Sequence, residues 1–122
     1  MHTVLIIDDE KPILDSLFSI LTDEGFRILK ATDGNEGLSI FESEKPDVVL
    51  LDVWMPGMDG LQLSKSVRQR FPKIKVLVMT GHSLEEGRLQ TLQQTAVPWI
   101  QKPFSLQELS KKIRDVLGVT PN

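Results

Sequence analysis

Three short stretches, Val4 to Ile7, Val48 to Leu51 and Val76 to Met79, are almost continuously apolar. A strand with one wet face would alternate, so this pattern predicts strands covered on both faces, as in a parallel sheet. Each stretch is followed at once by a polar residue: Asp8, Asp52 and Thr80. Two weaker stretches, Arg27 to Ala31 and Pro98 to Gln101, predict edge strands, where an opening proline is tolerated.

Between the strands the period lengthens to that of a helix. Ile13, Leu14, Leu17, Phe18 and Leu21 form one apolar face behind Pro12, and Gly25 stops the run. A second helix presents Leu38 and Phe41 after Asp33-Gly34, and a third presents Leu63, Val67 and Phe71 before Pro72. A fourth opens on Ser83 and Glu86 but holds an interior Gly87 and few apolar residues besides Leu84, Leu89 and Leu92, so it predicts a weakly anchored helix. The last carries a capping box of Ser105 and Glu108, a staple residue Phe104 facing Leu109, and a buried face continued by Ile113, Val116 and Leu117. Gly118 and Pro121 close it.

A β-α unit repeated five times, joined by right-handed crossovers, predicts a doubly wound α/β fold: a parallel sheet with helices on both faces. The expected domain covers residues 1–118, with residues 119–122 as a C-terminal tail. In such sheets ligands bind at the carboxyl ends of the strands. That rule selects Asp8, Asp9 and Glu10 after the first strand, Asp52 after the third, Thr80 and Gly81 after the fourth, and Lys102 and Pro103 around the fifth.

Composition narrows the classes. At 122 residues and 40% hydrophobic content the chain supports one core and is too short for two. With 17 acidic against 14 basic residues and net charge -3, a broad nucleic-acid surface is not expected. The absence of cysteine excludes disulfides, thiolate metal sites and cysteine nucleophiles. No apolar run is long enough to span a bilayer and the opening MHTVLIIDDE has no leader pattern, so a cytoplasmic protein without membrane contact is expected.

Carboxylates after a strand ordinarily cap the next helix or meet solvent. Asp52 is different, because it follows four apolar residues at the buried edge of a central strand, where an unpaired charge is costly. Three carboxylates gathered at one sheet edge repel one another, and the fitting neutralisers are a hard cation with oxygen ligands and the Lys102 ammonium. Few carboxylates with retained waters suit Mg²⁺ better than Ca²⁺. A phosphoryl group between metal and lysine would be neutralised on two sides, Thr80 could donate to it, and Asp52 is the best-placed nucleophile.

The motifs IIDDE, VVLLDVWMPGMDG, VLVMTG and IQKPF, in this order and at these spacings, resemble the receiver domain of two-component response regulators from Thr3 to about Gly118. The resemblance implies a flavodoxin-like three-layer sandwich with strand order 2-1-3-4-5. It implies that Asp52 is phosphorylated by a histidine kinase or histidine phosphotransfer protein. Asp9, Asp52 and the Trp54 carbonyl would ligate Mg²⁺, with Asp8 acting through a metal-bound water. Thr80 and Lys102 would then engage the phosphoryl oxygens, Trp99 would hold the aromatic switch position, and the Lys102-Pro103 bond would be cis. The signal would pass to the face of the fourth helix, fifth strand and last helix, for an effector protein or domain or for a phosphorylation-dependent homodimer. Such a protein is not a conventional enzyme; it catalyses its own phosphorylation and dephosphorylation.

Several positions carry a plainer reading beside the functional one. The segment Met55 to Gly60 reads as a turn with Asp59 capping the third helix, and a lone loop histidine such as His82 is ordinarily solvated. Trp54 and His82 are the two candidates for tuning dephosphorylation, with the Trp54 indole expected to shield the acyl phosphate and slow its loss. Thr95 replaces a glycine common in the family, which predicts a different path into the fifth strand. Three rival functions fit less well. A haloacid-dehalogenase-like phosphatase would carry an aspartate where Trp54 stands, and a flavodoxin-like nucleotide binder would have a glycine-rich loop after the first strand. A degenerate receiver would lack part of the set Asp8, Asp9, Asp52, Thr80 and Lys102, which is complete.

Overall fold

A computed structural model describes residues 2–55, 58–80 and 97–118, with the backbone alone at 54, 55, 58, 59 and 61. Five parallel strands form one sheet: β1 (Thr3–Ile7), β2 (Arg27–Ala31), β3 (Val48–Asp52), β4 (Lys75–Thr80) and β5 (Trp99–Gln101). Their spatial order is β2-β1-β3-β4-β5, the 2-1-3-4-5 order of the flavodoxin fold. The two weak stretches are the edges, as expected. The described helices are α1 (Lys11–Asp23), α2 (Gly34–Glu44), α3 (Gly60–Arg70) and α4 (Leu106–Leu117), the last of the predicted helices. The predicted fourth helix at Ser83 to Leu92, together with Gly81, His82, Thr95 and the tail, lies outside the described residues.

The continuous apolar runs have a visible purpose, because period-two geometry sends alternate side chains to opposite faces. Leu5, Ile7, Val49 and Leu51 join a core beneath α2 and α3 that includes Phe41, Leu63 and Val67. Val4, Ile6, Val48 and Leu50 join a second core beneath α1 and α4 with Leu14, Leu17, Leu21, Leu109 and Ile113. Every residue of β3 is buried, so this strand is the axis of the molecule.

Caps fix the helix entries. The Asp33 carboxylate accepts from the Glu36 N–H at 2.8 Å, and the Ser105 hydroxyl accepts from the Glu108 N–H at 3.0 Å. Gly25 and Gly118 take φ of +95° and +75° just beyond α1 and α4, a conformation that a Cβ disfavours. Phe18 corrects the sequence reading: it is 38% exposed, off the buried face, with the Lys30 ammonium 4.5 Å from its ring centre. Lys30 also pairs with Asp15, so a surface cation-π contact satisfies a residue that periodicity assigns to the core. The segment after β3 also differs from a simple turn, since Trp54–Met55 pairs antiparallel with Met58–Asp59. Among the described residues, no helix is long and apolar enough to cross a membrane.

Candidate functional site

Parallel alignment brings the carboxyl ends of β1, β3 and β4 level. Ile7 pairs with Leu51, and Asp52 with Met79, so Asp8 and Asp52 emerge side by side at one edge of the sheet with Thr80 one residue further along the next strand. The backbone locks each in place. The Asp8 N–H donates to Ala31 O at 3.1 Å, the Val53 N–H to Met79 O at 3.1 Å, and the Lys102 N–H to Thr80 O at 2.7 Å. The Lys102-Pro103 bond is cis, as the resemblance implies.

Carboxylate oxygens of Asp8, Asp9 and Asp52 lie within 4.8 Å of one another. Asp8 is fully buried and Asp52 is 3% exposed, whereas Asp9 reaches solvent. Lys102 Nζ sits 3.2 Å from Asp8 Oδ2 and 3.4 Å from Asp52 Oδ2, joining both buried acids. Among the described residues, one ammonium therefore stands against a cluster of three carboxylates, joined to two of them, and the donor set of the cluster is one of hard oxygens. Such a set fits a hard divalent cation, and an acidic pocket of this kind holds Mg²⁺ in receiver domains generally.

The charges perturb one another in opposite directions. Burial pushes the Asp8 carboxyl above its ordinary value of 3.8, and Asp52 adds to the rise; the Glu10 N–H, donating to Asp8 Oδ1 at 2.9 Å, and Lys102 oppose it without prevailing. Burial works against the Lys102 ammonium too, yet the combined pull of Asp52 and Asp8 holds its pKa above 10.5. The lysine thus stays charged while Asp8 resists ionisation, which is the signature of a site short of positive charge.

Thr80 is buried at the end of β4, one backbone hydrogen bond from Lys102. Trp99 opens β5, half-buried against the α2–α3 core and paired with Val78 two residues before Thr80. Trp54 follows β3 by two positions, and its backbone belongs to the short ladder. Its side chain and all of His82 lie outside the described residues. A position that the sequence reading treated as turn-shaping gains a sharper role here. A Cβ on Gly60 would stand 2.7 Å from Val53 Cα and 2.8 Å from Asp52 O, so only glycine lets α3 press on the backbone that carries Asp52. The MPGMDG string signals glycine there, though not the close approach.

The comparisons with known proteins agree with this geometry. The family model described as the response regulator receiver domain matches residues 4–114. A CheY-like response regulator receiver domain protein from Methanospirillum hungatei JF-1 is 32% identical, with a TM-score of 0.86 over 97% of this chain and 94% of its own. A response regulator receiver domain protein from Clostridium thermocellum is 29% identical, with a TM-score of 0.87 over 97% of this chain and 95% of its own. NtrX from Brucella abortus is 30% identical with a TM-score of 0.86, and the match covers 97% of this chain but 27% of NtrX.

Proposed function

The chain belongs to the response regulator receiver domain family, and we propose that it is the phosphoacceptor switch of a phosphorelay, with Asp52 as the acceptor. One observation carries this reading: Asp52 is 3% exposed at the end of the central strand, grouped with Asp8 and Asp9 and 3.4 Å from the Lys102 ammonium. Among the described residues, no other carboxylate combines the central strand with both partners. Burial keeps water from solvating the nucleophile, and the fixed charges around it complement a phosphoryl group.

In the transfer, an Asp52 oxygen forms a bond to phosphorus while the P–N bond of a phosphohistidine donor breaks, its electron pair returning to the imidazole nitrogen. Asp8, Asp9, Asp52 and the Trp54 carbonyl would hold Mg²⁺, which when bound supplies positive charge against the phosphoryl oxygens. Lys102 then exchanges its contact with the Asp52 carboxylate for one with a phosphoryl oxygen, and the Thr80 hydroxyl donates to another. Both rearrangements occur in β4 and the β5 loop. They bias the position of Trp99 and the face of β5 and the flanking helices toward an effector-binding arrangement. The donor is a histidine kinase or phosphotransfer protein, and the reader of the signal is an effector protein, an attached domain or a second copy of the chain. The domain so defined runs over residues 1–118 and works in the cytoplasm, catalysing only its own phosphorylation and dephosphorylation.

Intact-mass spectrometry after incubation with acetyl phosphate, and separately with a phosphohistidine donor, tests the reading. The parent takes one phosphoryl group when Mg²⁺ is present; Asp52→Asn and EDTA-treated parent take none. Equal labelling of Asp52→Asn, or indifference to EDTA, overturns the assignment.

A further inference from the structure

The amino-terminal edge of the sheet carries a second concentration of charge, of the opposite sign. Five of the chain's 14 basic residues fall between Lys65 and Lys75, with no acidic residue among them, in a protein of net charge -3. Lys45, at the end of α2, belongs to the same edge. Several cations are paired: Arg27 with Glu44, Lys30 with Asp15, Arg114 with Glu24, Lys102 with Asp8 and Asp52, and, within the run itself, Arg70 with Glu42. Among the described residues, Lys45, Lys65, Lys73 and Lys75 make no ion pair. Arg68 and Arg70 occupy the last turn of α3, where they offset the helix dipole. That account does not extend to Lys65, a turn earlier, or to Lys75, which opens β4.

The unpaired lysines surround two adjoining clefts. The larger, about 700 Å³, lies between the ends of α3, β4 and α4; its floor is Ile74, Val76, Val97 and Val116, and Lys65 and Lys75 stand at its rim. The smaller, about 430 Å³, lies between the ends of α2 and α3, with Phe71 as its apolar wall and Lys45 and Lys73 beside it. Pro72 and Ile74 belong to both, so the clefts meet across a short ridge.

We propose that this edge docks an extended, acidic segment of a partner protein, whose apolar side chains enter the two clefts while its carboxylates meet the surrounding lysines. Charge complementarity selects an anionic occupant, and the apolar floors select one with hydrophobic anchors. Two open clefts in a row suit an extended chain better than a compact small molecule. Asp47 and Asp115 also line the clefts, one in each, and they would repel the unbroken charge of a nucleic-acid backbone. An acidic peptide can set its carboxylates apart from them.

The edge lies at the opposite end of the strands from Asp52, so docking here leaves the phosphoryl site open. A partner could hold the domain through this edge while a phosphodonor reaches the other end.

Fluorescence anisotropy with a labelled peptide of alternating glutamate and leucine tests the proposal. A glutamate–serine peptide, a lysine–leucine peptide and a single-stranded DNA oligonucleotide serve as competing probes. The glutamate–leucine peptide binds best, and added salt weakens it. Lys65→Glu/Lys75→Glu lowers its affinity about tenfold, equivalent to about 1.4 kcal/mol. Lys65→Gln/Lys75→Gln lowers it less, and both variants retain Asp52 labelling by acetyl phosphate because their substitutions are exposed and remote. Three results overturn the proposal: no saturable binding of the glutamate–leucine peptide, unchanged affinity in the charge-reversed variant, or tighter binding of the serine-containing peptide or the oligonucleotide.

Discussion

At the carboxyl end of the sheet, two buried aspartates share a single lysine with the exposed Asp9 beside them, and the three carboxylates lie within a few ångströms of one another. At the amino end, four lysines that make no ion pair among the described residues stand exposed around two clefts. The same kinds of side chain behave differently because water screens one group and is excluded from the other. Exposed cations cost the fold almost nothing and can attract a partner through space. Crowded, buried carboxylates cost the fold stability, and under the proposed function that cost would fall when a cation or a phosphoryl group with its metal completed the site. The molecule thus separates a chemical end, where charge is constrained, from a surface end, where charge is free.

Removing a cation from each end gives the largest expected contrast. Lys102→Ala strips Asp8 and Asp52 of their common partner and should lower unfolding free energy by about 3 kcal/mol in EDTA, the low end for breaking a buried pair because Lys102 retains partial solvent access. Mg²⁺ should restore part of the loss by replacing the missing positive charge. Lys75→Ala, at an exposed position, should change stability by no more than about 0.5 kcal/mol under either condition. Urea unfolding of both variants with and without Mg²⁺ measures the contrast. Similar, small losses in the two would show that the carboxyl end is as well screened as the amino end.

A smaller effect of opposite sign belongs to Asp8. Its carboxyl is held above the ordinary 3.8 chiefly by burial, so the folded chain binds that proton more tightly than the unfolded chain. The associated stability is complete below 3.8 and is lost as pH rises through the higher folded value. At neutral pH the buried charge is therefore a cost, and Asp8→Asn should stabilise the metal-free protein by about 1 kcal/mol. The gain over the parent should shrink as pH falls toward the acid range, where the parent's own Asp8 is protonated. Urea midpoints across that range in EDTA, at constant ionic strength, report it. A destabilised Asp8→Asn at neutral pH would mean that its bond to Lys102 outweighs burial and like-charge repulsion.

Much of this contrast was legible in the sequence because the carboxyl end is written in short, ordered signals. Continuous apolar runs gave β1, β3 and β4, their first polar successors gave Asp8, Asp52 and Thr80, and the IQKPF string supplied Lys102. Capping chemistry read correctly at Ser105 for the same reason: the signal is local. Phe18 failed because helical period specifies a face only to within the width of a side chain, and Lys30 on the neighbouring strand offered an alternative contact. Gly60 could be read as glycine in a turn, but its 2.7 Å approach to Val53 depends on how α3 settles against β3. The basic run from Lys65 to Lys75 was equally visible, yet its clefts were not, since they form from the ends of elements far apart in sequence.

The amino end offers a finer test through the ion pair at the smaller cleft. Arg70, which lines the smaller cleft, is bound by Glu42 at 2.8 Å, with both side chains at least half exposed. An exposed pair of this kind contributes between nothing and about 1 kcal/mol, so Glu42→Gln should shift the urea midpoint little, by an amount equivalent to less than about 0.5 kcal/mol. Its effect on docking should be comparatively clear. The substitution removes a carboxylate that would repel the acidic peptide and releases a guanidinium beside the cleft to bind it. One additional exposed attraction is worth about 0.4 kcal/mol at low salt, so affinity for the glutamate–leucine peptide should rise about twofold. The increase should fade at high salt, because both charges are screened there. Stability and affinity are predicted to move independently, which distinguishes a surface used for attraction from one used to hold the fold together. If Glu42→Gln instead weakens the peptide at low salt, Arg70 is oriented for docking by its partner, and the amino end is more preorganised than its exposure suggests.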